Sequence, residues 1–313
     1  MIELPIALCA PVGMRRPPRT RRPPRTRLPQ RPRLRALRLA DTAVEALITE
    51  AMLTPKPALV DQRGPGAHCD LDLERLLRSA RSLHDAFLEM ATLATGRRPD
   101  QALREQLALI GRDAEFDMFA ASGGSNTHRG AIWVMGLLLA ALAIADTEAG
   151  AGATPREIAR LAGTIARHDD RFAPTQASHG QSVCRLYGVS GARGQARAGF
   201  PHVVEVGLPA LWSARARGVD ETSAQLDALL AIMASLDDTC LLYRGGPGAL
   251  RAAQAGAGAV LALGGASSTP GMDALLCLDM QLLALDASPG GSADLLAACL
   301  FLDQHCCAQH CGA

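Results

Sequence analysis

The sequence predicts an all-α fold: a single compact domain of about ten helices, with Gly- and Pro-rich loops forming the site and a disordered Arg/Pro-rich tail in front. Three observations carry this expectation. Alanine supplies 57 of the 313 positions and aromatics 3%, a mix that favours closely packed helices and lacks the residues strands prefer. Apolar residues recur at three- and four-residue steps, as in Leu73, Leu76, Leu77, Ala80, Leu83, Phe87 and Met90, and again in Leu226, Leu229, Leu230 and Met233. Helix starts are also marked: Thr154-Pro155-Arg156-Glu157 joins an N-cap, a first-turn proline and a capping-box glutamate, and Thr269-Pro270 and Ser292 look like further starts. No alternating apolar segment exceeds about five residues, and no fixed-period repeat stands out. With 48% apolar and 20% charged residues the chain reads as globular.

From the N-terminus, charge divides the chain. Residues 1–38 hold 11 Arg and one acid, a balance of +10, and the rest carries −9, giving the overall +1. Residues 15–35 are Arg/Pro-rich and nearly free of apolar side chains, so residues 1–36 are expected to be a disordered or extended tail. Such an arm suits nucleic acid or an anionic surface; the plainer reading is a dispensable extension. Base-stacking nucleic-acid modules are disfavoured by the scarcity of aromatics. The body is assigned to residues 37–305, with a frayed end at 306–313. Its longest apolar run, Ala131 to Ala145, is shorter than the ~18–20 residues of a membrane span and reads as a buried helix. No secretory leader is visible. Nine scattered cysteines, an odd number, suggest reduced thiols and a cytoplasmic protein. His305, Cys306, Cys307, His310 and Cys311 are metal-capable but lack the two separated ligand pairs of a structural zinc site.

Five polar segments interrupt the helical pattern. In the first, prolines flank Lys56, the only lysine, and Asp61, His68, Asp70 and Asp72 follow. Asp70 as N-cap with Asp72 on the positive helix end is one reading; a hard-cation site for Mg²⁺ with phosphate is the other. The second, SGGSNTHRGAIW at 122–133, is a Gly-rich entry to a helix, with Asn126 or Thr127 as cap and His128 and Arg129 in the first turn. Its free amides suit an anion, and an arginine there opposes the dipole unless an anion is bound. The third, 190–201, places Arg193 and Arg197 one turn apart with no acid nearby in sequence. In the fourth, Asp237 and Asp238 precede Arg244, which suits a metal-phosphate clamp or a plain ion pair. The fifth, SPGGSADLL at 288–296, is another Gly-Gly helix entry, with Asp294 in its first turn. Together the five point to a polyphosphate substrate held with a divalent cation.

At these residues the sequence resembles the triphosphoribosyl-dephospho-CoA synthase family. The runs TPKP with LVD at 54–61, GAH with Asp-x-Asp at 66–72, NTH-basic-Gly at 126–130, RGxA with GFP at 193–201, DDT with RGG at 237–246 and PGGSADLL at 289–296 occur in that family's order and span residues 37–303. Ala58 stands where the citrate-lyase relatives usually have Gly, and Arg129 where they usually have Lys; with Ile132 and Trp133, this looks like the branch serving malonate decarboxylase. Ser125 departs from the apolar residue expected in its loop.

The resemblance implies transfer of the 5-triphosphoribosyl group of ATP to the 2′-hydroxyl of 3′-dephospho-CoA, with release of adenine and Mg²⁺ as the expected cofactor. The product would pass to a separate transferase acting on an acyl-carrier subunit. Breaking an N-glycosidic bond calls for a proton donor, a base and a hold on the triphosphate. The expected phosphate binders are Lys56, Asn126, His128, Arg129, Arg193 and Arg244; Glu50, His68, Asp237 and Asp238 are expected to be catalytic, and Asp70, Asp72 and Asp294 to ligate metal. The rivals are a hydrolase of ADP-ribose-like N-glycosides and a nucleic-acid-binding protein using the tail.

Overall fold

The first helix begins inside the segment that composition assigns to the tail. In the computed structural model, which describes residues 28–148 and 152–307, with side chains to residue 146 in the first stretch and to 305 in the second, α1 (Gln30–Met52) starts directly after Pro29. Pro32 is tolerated because first-turn amides have no intrahelical acceptor. Ala36, Leu39, Ala40, Ala43 and Leu47 are buried, and Arg35 pairs with Asp146 at 2.6 Å, so this part of the Arg-rich run belongs to the body. The tail reading of residues 1–27 and the suggestion for His310 and Cys311 fall outside the described residues, as do the side chains of Cys306 and Cys307.

Twelve further α-helices follow: α2 (Leu73–Ser82), α3 (His84–Ala94), α4 (Gln101–Ser122), α5 (Arg129–Glu148), α6 (Pro155–Arg167), α7 (His179–Tyr187), α8 (Gly191–Arg197), α9 (Leu208–Ala216), α10 (Glu221–Met233), α11 (Thr239–Ala262), α12 (Thr269–Ala284) and α13 (Gly290–Cys307). A π-helical turn, His202–Gly207, runs straight into α9. The described residues contain no strand, only a bridge between Asp61 and Gly64. The all-α expectation holds; the larger count has two sources. The apolar run from Leu73 to Met90 is broken at Leu83 into α2 and α3, and α7, α8 and α9, at 9, 7 and 9 residues, are too short for periodicity to register.

Helix starts follow the chemistry closely. Thr154 and Glu157 form the capping box, with Pro155 at the first position. The cap of α12 is Ser268, one residue before the expected Thr269, and α13 begins at Gly290, so Ser292 lies within its first turn.

The 18 residues from Arg129 to Asp146 are apolar and long enough to cross a membrane, yet 72% of this stretch is buried inside the bundle. It is the central helix, packed by α1, α3, α4, α6 and α13. The run Leu295–Leu302 of α13 is buried beside it. Around this pair the N-termini of α5, α11 and α13 gather near the C-terminal end of α1. α11 is interrupted at Gly246, whose backbone (φ 64°, ψ −166°) breaks the helix before Pro247.

Candidate functional site

The loop after α1 is held by its own aspartate. Asp61 accepts from the Lys56 amide at 2.8 Å, the Thr54 hydroxyl at 3.1 Å and the Arg63 amide and Nε at 2.8 and 2.9 Å. Arg63 donates on to the Lys56 carbonyl and to Asp279, which accepts the Ala58 amide at 2.7 Å. The LVD aspartate is thus a clamp on the turn. Ala58 sits at φ 54°, the left-handed region that glycine favours, which accounts for the glycine expected in the other branch.

The turn drives Lys56 inward. It is 1% exposed, and Nζ donates to the Glu50 carboxylate at 2.6 Å and to the Glu50 carbonyl at 2.7 Å. An ammonium has three donors, so one remains. His128, expected in the first turn of α5, lies one residue before the helix and is buried. Its Nδ1 is 2.9 Å from the Ser79 hydroxyl, which meets the Thr127 hydroxyl at 2.5 Å; its Nε2 is buried without a partner. Burial, helped by the Lys56 charge, lowers its pKa to about 4, so at neutral pH it is an uncharged imidazole rather than a cationic phosphate binder.

Asp238 closes this centre from the opposite side. It caps α11 through the Cys240 amide at 2.8 Å and accepts the Gly291 amide, the Ser292 amide and the Ser292 hydroxyl at 3.3, 2.8 and 2.9 Å. A Cβ at Gly291 would stand 2.9 Å from its Oδ1, so the glycine permits the approach. Burial raises the pKa of Asp238 against these hydrogen bonds. With four donors on two oxygens it is a joint between helices rather than a free base, while Asp237 is exposed.

Asp294, partly exposed, faces Glu50 and Asp238. Burial, then those two negative charges, hold its carboxyl well above the usual carboxylate range, against the pull of the Ala131 amide. A Cβ at position 130 would overlap this carboxylate; the glycine of NTHRG exists for the aspartate of PGGSAD.

A second group lies at the rim. Arg244, expected beside Asp237 and Asp238, instead pairs with Asp286 at 2.8 Å and donates to the Ala67 carbonyl. Its NH1 lies 3.4 Å from His68 Nδ1. A guanidinium only donates, so Nδ1 accepts and His68 Nε2–H donates to the Ser288 hydroxyl at 3.0 Å. Burial and the Arg244 charge lower the His68 pKa to about 4, against the opposing charges of Asp70 and Asp286.

Asp72, not Asp70, caps α2, accepting the Arg75 amide at 2.8 Å. Asp70 is exposed and 4.0 Å from His68 Nδ1. Asp70 and Asp72 do not join Asp294: among the described residues no three His, Cys, Asp or Glu side chains converge for a metal. Arg129, outside this pairing, meets Glu115 at 2.9 Å, and Asn126 is exposed. Arg197 finds an acid the local sequence hides, Asp169 at 2.6 Å, whereas Arg193 is exposed. Sequence reasoning missed Ser79, Asp279 and Asp286 and read Ser292 only as a helix start, because their partners are distant along the chain and leave no local signal.

The CitG family model, described as ATP:dephospho-CoA triphosphoribosyl transferase, matches residues 36–310. A Pseudomonas aeruginosa protein named probable 2-(5''-triphosphoribosyl)-3'-dephosphocoenzyme-A synthase is 56% identical over 267 residues, covering 85% of this chain and 90% of that protein. A Klebsiella pneumoniae protein named 2-(5''-triphosphoribosyl)-3'-dephosphocoenzyme-A synthase is 52% identical over 266 residues, covering 85% and 94%. An Azotobacter vinelandii relative, named as the Pseudomonas one is, is 52% identical over 271 residues, covering 86% and 91%. No solved structure matches. With the runs TPKP, NTHRG, DDT and PGGSAD meeting at one buried polar centre and the match spanning nearly the whole body, the chain belongs to the ATP:dephospho-CoA triphosphoribosyl transferase family and is an enzyme, a transferase.

Proposed function

We propose that the chain moves the 5-triphosphoribosyl group of ATP to the 2′-hydroxyl of 3′-dephospho-CoA, yielding adenine and 2′-(5″-triphosphoribosyl)-3′-dephospho-CoA. What supports this is the meeting of TPKP, NTHRG, DDT and PGGSAD around Asp294, a carboxyl held above its usual range beside Glu50. In the reaction the C1–N bond breaks with its electron pair going to adenine, and the 2′-oxygen bonds to C1. Asp294 starts protonated, gives its proton to the departing adenine and takes up the proton of the 2′-hydroxyl, an exchange of acid and base roles familiar in glycosyl chemistry. Glu50, fixed by Lys56, sets the field at that carboxyl. Asp238 and His128 hold the frame, and neutral His68 orients Ser288.

Lys56, Arg129, Arg193 and Arg244 are the cations for the phosphates. Mg²⁺ does not fit the carboxylates of the buried centre: Asp238 is saturated, Glu50 is engaged by Lys56 and Asp294 carries the proton that the transfer uses. A Mg²⁺ ion arriving with ATP would be held by the substrate phosphates, where it would screen the triphosphate charge.

The finer reading places the product on the route to the acyl-carrier subunit of malonate decarboxylase, through a separate transferase; Ala58, Arg129, Ile132 and Trp133 favour it over citrate lyase. A cytoplasmic location accords with the unpaired cysteines at 69, 184, 240, 277 and 299.

The test is mass spectrometry of the full chain with ATP, Mg²⁺ and dephospho-CoA. The triphosphoribosylated product is expected, with adenine released only when dephospho-CoA is present; adenine release in water alone would make the protein a hydrolase. Asp294→Asn should lower turnover by roughly 10²–10⁴-fold, and Lys56→Ala should abolish product at ordinary ATP while the far-ultraviolet spectrum stays helical.

A further inference from the structure

Arg104, in the first turn of α4, is 6% exposed. Its buried Nε has no hydrogen-bond partner, and among the described residues no carboxylate lies within ion-pair distance of its guanidinium. The guanidinium carbon lies 4.7 Å from the centre of the Trp133 ring. Trp133 is tied by its indole N–H to the Ala192 carbonyl at 3.2 Å, next to exposed Arg193.

The acids around this spot are already taken. Arg112 holds Asp170 at 2.5 Å, Arg197 holds Asp169 at 2.6 Å and Arg171 holds Glu105 at 2.5 Å. Arg104 and Arg193 are left over. Burial and the charges of Arg193 and Arg112 push the Arg104 pKa down, while Asp170 and Asp169 oppose this. A buried charge without a counter-charge is unfavourable, and the aromatic face offsets only part of that.

We infer that Arg104 and Arg193, beside Trp133, form an anion subsite that takes a phosphate group of a substrate. Two unneutralised guanidinium charges match a dianionic phosphate, whose oxygens suit arginine's fork of donors. Trp133 lies three residues, about 4.5 Å along α5, beyond Gly130, which meets Asp294, so the subsite lies within about one helical turn of the buried centre. The inference rests on the triphosphoribosyl-transfer reading, in which two polyphosphate substrates are held at once; the phosphate is either in the triphosphate of ATP or on dephospho-CoA.

Calorimetric titration of the full chain with inorganic tripolyphosphate tests it. Arg104→Gln and the surface change Arg193→Gln should each weaken binding at one class of site by tenfold or more, with Arg104→Lys intermediate. Fluorescence of a Trp212→Phe chain, in which Trp133 is the sole tryptophan, should respond saturably to tripolyphosphate and lose that response with Arg104→Gln. In turnover, Arg104→Gln should raise KM for one substrate with kcat within about threefold, and the substrate affected identifies the source of the phosphate. Unchanged tripolyphosphate affinity in both glutamine variants would overturn the subsite. A wild-type chain that binds tripolyphosphate through Arg104 but forms no product would leave the subsite standing and remove the transfer reading.

Discussion

Lys56 and Arg104 are both buried cations, at 1% and 6% exposure, and they differ in what meets the charge. Lys56 delivers two of its three donors to one glutamate. Arg104 rests against an aromatic ring with its Nε unpartnered. The first pair is assembled by neighbouring turns of one chain segment, six residues apart. The second charge sits where the acids nearby among the described residues, Asp169, Asp170 and Glu105, already serve other arginines. The Lys56 charge is met inside the fold and leaves one donor for a substrate, whereas the Arg104 charge is met by no acid and marks where an anion belongs.

The largest effect expected from breaking this contrast is at Lys56. Lys56→Met strands the Glu50 carboxylate and should cost about 3–5 kcal/mol in denaturant unfolding, while Glu50→Gln with Lys56→Met should recover most of it. Arg104→Met removes a charge that has no partner and should leave stability unchanged or raise it. Equal losses at the two positions would dissolve the distinction.

Next comes Asp238→Ala, which removes the acceptor for four donors at two helix ends and should cost roughly 2–4 kcal/mol. A loss no larger than that of an ordinary cap would mean that α13 finds other acceptors.

His128 sharpens the picture through pH. Its folded pKa, about 4, lies below the unfolded value of about 6.5. The unfolded state therefore takes up the proton first, and the stability present above pH 6.5 is lost as pH falls toward 4. Between pH 7 and 5 this one group accounts for about 2 kcal/mol. His128→Gln should flatten the unfolding free energy over that interval by about that amount, with His68 and His305, also at about 4, leaving the remaining slope.

The smallest change is Asp72→Ala. The carboxylate is exposed and caps one helix, so a loss of about 1 kcal/mol and unaltered Mg²⁺ dependence are expected. A shifted metal titration would return Asp72 to the cation site.

Helix class, capping box and buried α5 were legible because each is local: spacing, a cap and an apolar run. Membership of the site was legible only as a set of segments. Lys56, Glu50, His128 and Asp294 do gather, but their roles depend on partners far along the chain. Asp238 looks like an acid beside an arginine until Ser292, 54 residues on, occupies it. Arg197 looks unpaired until Asp169 arrives from 28 residues earlier. Arg104 gives no signal at all, since an arginine in the first turn of an amphipathic helix reads as surface. Even the start of α1 was obscured, because proline and arginine mark a tail by composition while being acceptable in a first helical turn.

The close fit of Gly130 beneath Asp294 carries an evolutionary consequence. A methyl at position 130 is met by the carboxylate, which would have to swing away from Glu50 and Ala131. Alanine there should therefore spare the helix and impair turnover, and because the carboxyl at 294 is the reacting one, no change at 294 can make room for it. Two positions 164 residues apart are in this sense a single inherited character, and neither can drift.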